Sequence, residues 1–107
     1  MDNLFEKIDV IKDSILKFAP VKYIYLFGSY AYGIPTEKSD IDIYTVIPDE
    51  VKNFTDIYAK IIVDLSYKKI YFIDLFLNTE SEFNKRKTEN MLEKTIYQKG
   101  KLVYEHQ

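Results

Sequence analysis

Three short runs constrain this chain more than anything else in it: VKYIYLF (residues 21–27), DIDIYTV (40–46) and IYFIDLF (70–76). Each is rich in β-branched and aromatic residues, each ends at a glycine, a proline or a polar turn, and each predicts a strand. The stretches between and around them have helical periodicity. Leu4, Ile8, Ile11, Ile15 and Phe18 recur at three- and four-residue steps, which predicts a helix over 3–18. Asn3 is placed to cap it, Glu6 follows three residues on, and Pro20 lies just past its end. Phe54, Ile57, Ile61 and Leu65 predict a second long helix over 53–66, and residues 80–99 predict a third, stopped by Gly100. Lys101–Tyr104 closes the pattern as a last short strand, and a brief helical piece is expected after Ser29. Helices long enough to cover a sheet recur between strands, so the fold class is α/β (α+β), two layers deep. Periodicity does not fix the order or direction of the strands.

With 107 residues, the expectation is one domain, 1–107, with a single core. Hydrophobic residues are 47% and charged residues 30%, a balance that folds. The net charge of −2 lacks the basic surplus that gripping phosphate backbones demands, so a dedicated nucleic-acid binder is disfavoured. Cysteine is absent, which removes disulfide and thiolate chemistry. The segment MDNLFEKIDVIK is acidic and amphipathic, unlike a secretory leader, and no apolar run approaches a membrane span. A cytoplasmic location is expected.

The chemistry-bearing pattern begins where the first strand stops. Gly28 and Ser29 stand at a strand-to-helix junction. The first amides of a helical turn have no internal partner and attract negative charge, glycine admits a phosphate close to the backbone, and the serine hydroxyl adds a hydrogen bond. After a gap of ten residues come Asp40 and Asp42, two apart on the second strand, so both carboxylates are expected on one face. Two carboxylates side by side repel by roughly 4 kcal/mol at ~4 Å in a surface-like dielectric. A divalent cation removes that penalty, and all-oxygen ligands suit Mg²⁺ or Mn²⁺. Asp74 is the third candidate, because an aspartate inside IYFIDLF is costly unless paired or metal-bound.

The segment GSYAYGIPTEKSDID resembles the Gly-Ser-x10-Asp-x-Asp signature of the DNA polymerase β-like nucleotidyltransferase superfamily. Together with the opening helix, the Asp in IYFIDLF and the terminal KGKLVYE, it is similar to the minimal nucleotidyltransferase (MNT) antitoxins that pair with HEPN-domain toxins. The resemblance implies a mixed sheet of about four strands backed by helices, ATP as substrate and Mg²⁺ (or Mn²⁺) as cofactor. By position, Gly28 and Ser29 would hold the β,γ-phosphates, Asp40 and Asp42 would ligate metal, and Asp74 would complete the catalytic set. The implied partner is a HEPN toxin whose tyrosine receives AMP. The helical base-binding domain of larger relatives has no counterpart in this sequence. Two other functions fit the same residues: a transferase acting on a small molecule of the antibiotic type, and an antitoxin that works by contact alone.

Other residues invite a role and receive none. Tyr30 and Tyr32 are expected to pack, Lys38 to be a solvated loop residue, Lys85-Arg86-Lys87 to be a wet helix face, and His106 to lie at a frayed end.

Overall fold

The computed structural model describes residues 3–106. The elements run α1 (Leu4–Phe18), β1 (Tyr23–Phe27), α2 (Ser29–Tyr32), β2 (Ile41–Ile47), α3 (Phe54–Tyr67), β3 (Ile73–Thr79), α4 (Glu80–Arg86), α5 (Leu92–Lys99) and β4 (Lys101–Glu105). Asn3 caps α1 by accepting a hydrogen bond from the Phe5 amide at 2.8 Å. The strands form one mixed sheet in the order β3-β2-β1-β4. β1 is antiparallel to both β2 and β4, whereas β2 and β3 are parallel. A parallel pair cannot be closed by a hairpin, and α3 supplies the crossover. Among the described residues no helix is long and apolar enough to cross a membrane.

The two faces of the sheet differ. Alternation turns Ile24 and Leu26 of β1, Ile41 and Ile43 of β2 and Leu75 of β3 toward α1 and α3. There they meet Ile8, Ile11 and Ile15 from α1 and Ile57, Ile61 and Leu65 from α3, all buried. Each such side chain contributes about 1.5–3 kcal/mol of burial, so this layer holds most of the hydrophobic stabilisation. Ser14 fastens the two helices, donating to Asp64 Oδ2 at 2.7 Å.

The opposite face carries Tyr25 and Phe27 of β1 and Tyr44 and Val46 of β2, covered by Phe83 of α4 and Ile96 of α5. The expected single helix over 80–99 is two helices, and this cluster explains the break. Phe83 and Ile96 would be about 20 Å apart along a straight helix, yet both pack into the same small core. Residues 87–91 turn the chain back, with the Thr88 hydroxyl donating to the Lys85 carbonyl at 2.8 Å. The turn also delivers Glu93 beside Arg86, at 2.8 Å, and under Tyr44, whose hydroxyl donates to Glu93 Oε2 at 2.7 Å. Asn78 donates to the same tyrosine oxygen at 3.2 Å.

The third strand is also displaced from the expected 70–76. Lys69 takes a left-handed conformation (φ 62°) at the exit of α3, and Ile70 is spent on the core. The ladder therefore starts at Ile73 and runs on through Asn78 and Thr79, opposite Val46 and Ile47.

Glu93 is buried and ionised. Burial alone would raise its carboxyl, but the Tyr44 hydroxyl and the Arg86 guanidinium outweigh burial and hold it below the usual glutamate value of 4.5. A depressed carboxyl contributes stability above its unfolded value and loses it as pH falls through the folded one. Glu93→Gln is therefore expected to cost about 1–3 kcal/mol at pH 7. The deficit should shrink progressively below about pH 4.5, as read by denaturant unfolding at a series of pH values.

Candidate active site

The second face of the sheet is only partly covered. α4 and α5 sit over Tyr25, Tyr44 and Val46, and the end of the sheet where β1 finishes and β2 and β3 begin stays open. The sequence-predicted residues meet at that end.

Two register pairs and the turn that follows β1 build the site. Phe27, the last residue of β1, lies opposite Asp42 of β2. Asp42 in turn lies directly opposite Asp74 of β3. Register neighbours project to the same face, so the two carboxylates stand abreast, with Asp42 half-buried and Asp74 exposed at the edge. Gly28 follows Phe27 at φ 71°, ψ −150°, a conformation that L side chains rarely adopt. A methyl added there would collide with Asp42 Oδ2 and lie 3.0 Å from its Cγ. Only glycine allows the backbone of the turn to pass so close to this carboxylate. Ser29 then opens α2, a single turn in which the amides of Ala31 and Tyr32 both donate to the Gly28 carbonyl, each at 3.0 Å.

Asp40 differs from the expectation that it shares the strand with Asp42. It precedes β2 by one residue, at the end of an exposed loop closed by a Thr36–Ser39 turn. Its charge still reaches Asp42. Among the described residues, no group of three or more His, Cys, Asp or Glu is drawn together tightly enough to hold a metal ion alone. The sheet thus assembles Asp42 and Asp74 as a pair beside Gly28, with Asp40 adjacent rather than joined to them.

Asp42 has the electrostatic signature of an uncompensated acid. Burial, then repulsion from Asp74, a shared hydrogen bond with it, and the charge of Asp40 push its carboxyl up to about 6. Among the described residues the ion pairs engage Asp9, Asp56, Asp64 and Glu93, never this cluster. Two adjacent oxygen ligands with no protein cation to balance them fit a hard divalent ion, which commonly takes one or two carboxylates and completes its shell with water and substrate phosphate.

Sequence reasoning did not single out Phe76. It stands two residues beyond Asp74 on the same face, 42% exposed. Its ring stacks on Tyr44 with centroids 6.1 Å apart and planes 9° from parallel, and meets Phe27 edge-on at 5.6 Å. The available signal was its alternation with Asp74, hidden because IYFIDLF reads as uniformly apolar. Arg86 was expected on a wet helix face and instead joins the Glu93 network. Tyr30 donates to the Ser39 carbonyl at 3.5 Å and packs against the main core, as expected. A cavity of about 120 Å³ opens beside this end of the sheet, lined by Tyr30, Ser39, Ile41 and Phe72 among others, and by none of the five predicted residues. The carboxylates face an open surface.

Comparison with known proteins identifies the family and the fold. Residues 8–102 match the sequence profile of the nucleotidyltransferase domain. A Methanocaldococcus jannaschii protein, provisionally named a protein adenylyltransferase, is 34% identical over 84 residues, covering 78% of this chain and 79% of its own. The fold is similar to a chain in a toxin–antitoxin crystal structure with AMP-PNP (TM-score 0.60, 23% identity, 94% of this chain and 74% of that one). It is also similar to a chain in the complex of a tri-AMPylated Shewanella oneidensis HEPN toxin with an MNT antitoxin (TM-score 0.56, 21% identity, 95% and 72%). A nucleotidyltransferase-type structure from Sulfolobus solfataricus matches at TM-score 0.57 with 21% identity, over 92% and 77%.

The raised carboxyl gives a test that needs no substrate. A group whose folded value lies above its unfolded one stabilises fully below the unfolded value, 3.8 here, and loses that contribution as pH rises through about 6. At pH 7.5, without divalent ions, Asp42→Asn is expected to be more stable than the parent by about 1–2 kcal/mol after allowing for solvent screening. That is a gain of several degrees in thermal melting. The gain should fade by about pH 4.

Proposed function

Because the chain belongs to the nucleotidyltransferase domain family, we propose that it transfers AMP from ATP to a tyrosine hydroxyl of a partner HEPN-domain toxin and thereby silences it. Residues 1–107 act as one minimal catalytic domain in the cytoplasm. The observation that carries the reading is the register pair Asp42–Asp74, an unbalanced carboxylate pair beside a glycine turn that no side chain could replace. The acceptor and partner follow from what the relatives are: one is named for protein adenylylation, and a fold neighbour sits in a complex with an AMPylated HEPN toxin.

The chain's residues divide the work across the sheet. Gly28 and Ser29 bind the β,γ-phosphates through the free amides of the α2 turn and the serine hydroxyl. Asp42 and Asp74, with Asp40 adjacent, would hold Mg²⁺ or Mn²⁺. When bound, the ion would neutralise charge at the triphosphate and lower the barrier to ionising the acceptor. A tyrosine hydroxyl, with a reference pKa of about 10, is mostly protonated at neutral pH. Asp74 orients it and accepts its proton. The phenolic oxygen forms a bond to the α-phosphorus, the bond from that phosphorus to the bridging oxygen breaks, and pyrophosphate leaves toward Gly28 and Ser29, whose amides stabilise the departing charge.

The protein should be incubated with α-labelled ATP and Mg²⁺, with and without the product of an adjacent HEPN gene. Label is expected on the partner, and Asp42→Asn or Asp74→Asn should each reduce it on the order of a thousandfold. A tight complex without label would instead mark an antitoxin acting by contact. Label on an added small co-substrate alone would mark a small-molecule transferase.

A further inference from the structure

The order of groups across the open end of the sheet sets a direction for the reaction. From β1 to the edge, the sequence is Gly28 beside Phe27, then Asp42, then Asp74. Displacement at phosphorus is in-line, so the entering oxygen lies opposite the leaving one. With pyrophosphate on the Gly28 side, the acceptor enters over β3, the edge strand. This much rests on the adenylyl-transfer reading above.

What lies at that entrance is apolar. Phe76 is next along the same face from Asp74, about 7 Å away by strand rise. One face of its ring is taken by Tyr44 on β2 and its flank by Phe27. β3 has a strand on one side only, so the exposed part of the ring lies at the sheet edge. Phe76 is 42% exposed in a ladder whose other apolar side chains are mostly covered, so ring surface is open to contact beside Asp74. Its two aromatic neighbours also fix its orientation.

We propose that Phe76 is the acceptor platform: its outer face stacks on the ring of the incoming tyrosine while the phenolic oxygen reaches Asp74, so that this site selects a phenol over an aliphatic hydroxyl. A phenol whose oxygen sits at Asp74 brings its ring within the 4.5–7 Å over which aromatic pairs attract. A serine or threonine hydroxyl carries no ring to make such a contact. Phe76 is thus a specificity residue, and it holds the acceptor and not the adenine, which leaves the α-phosphate through the ribose.

The test uses protein carrying ¹³C-labelled phenylalanine, loaded with Mg²⁺ and α,β-methylene-ATP, whose α–β bridge cannot be cleaved, and titrated with N-acetyl-tyrosinamide or N-acetyl-serinamide. The Phe76 ring signals are expected to move with tyrosinamide and not with serinamide, and the nucleotide analogue alone should leave them near their starting positions. Phe76→Ala should weaken tyrosinamide binding at least tenfold while affinity for the analogue stays within twofold, which also shows that the variant is folded. Phe76→Tyr should restore binding and Phe76→Leu should not. Ring shifts produced by the analogue alone, or a loss of nucleotide affinity in Phe76→Ala, would assign the platform to adenine and overturn the proposal. So would equal binding of the two amides. Binding is read without turnover, so failure of AMP transfer in the labelled-ATP assay counts against the catalytic reading separately.

Discussion

The parallel pairing of β2 with β3 is the constraint on which the site depends. Its register sets Asp42 opposite Asp74 and Tyr44 opposite Phe76. Side chains alternate with a period of two, so a slip of one residue would turn Asp74 into the isoleucine-lined core and bring Leu75 to the carboxylate face. That core resists the slip. Ile73 and Leu75 are held against α3, and Ile70 anchors the turn that leads into the strand. Hydrophobic burial on one side of the sheet therefore fixes charge placement on the other.

The same division explains how a small domain tolerates an acidic cluster. The layer formed with α1 and α3 is almost wholly apolar and carries no part of the chemistry. The second layer is thinner and mixed: two short helices, a stack of aromatic rings, and the Glu93–Tyr44–Arg86 network. Tyr44 belongs to both regions of that layer. Its hydroxyl is tied to Glu93 and Asn78, and its ring supports Phe76. Interactions that hold α4 and α5 down thus extend, through one side chain, to within two residues of Asp74.

Much of this was legible in the residues. Strict alternation identified β2, the isoleucine spacing identified α1 and α3, and the Asp-x-Asp step together with the lone Asp in IYFIDLF named the carboxylates. The order and direction of strands were not legible, because they depend on packing between distant segments, and so the neighbours of Asp74 could not be known. The split of 80–99 was hidden for the same reason. Nothing local in KTENM forbids a helix; the turn forms because Phe83 and Ile96 share one pocket of core and Glu93 finds Arg86 and Tyr44. Asp40 was misplaced by one residue because alternation continues past the point where β3 stops offering a partner.

The loop between Ser29 and Asp40 plays a smaller mechanical part than the motif's fixed spacing suggests. The closeness of Gly28 and Asp42 is imposed by the antiparallel ladder of β1 and β2, which pairs Phe27 with Asp42 whatever joins them. Residues 32–38 lie exposed outside that ladder. The length of this excursion is therefore a free parameter of the architecture: it can be lengthened or trimmed at its tip without moving the glycine from the acid, whereas a single residue inserted into either strand would part them.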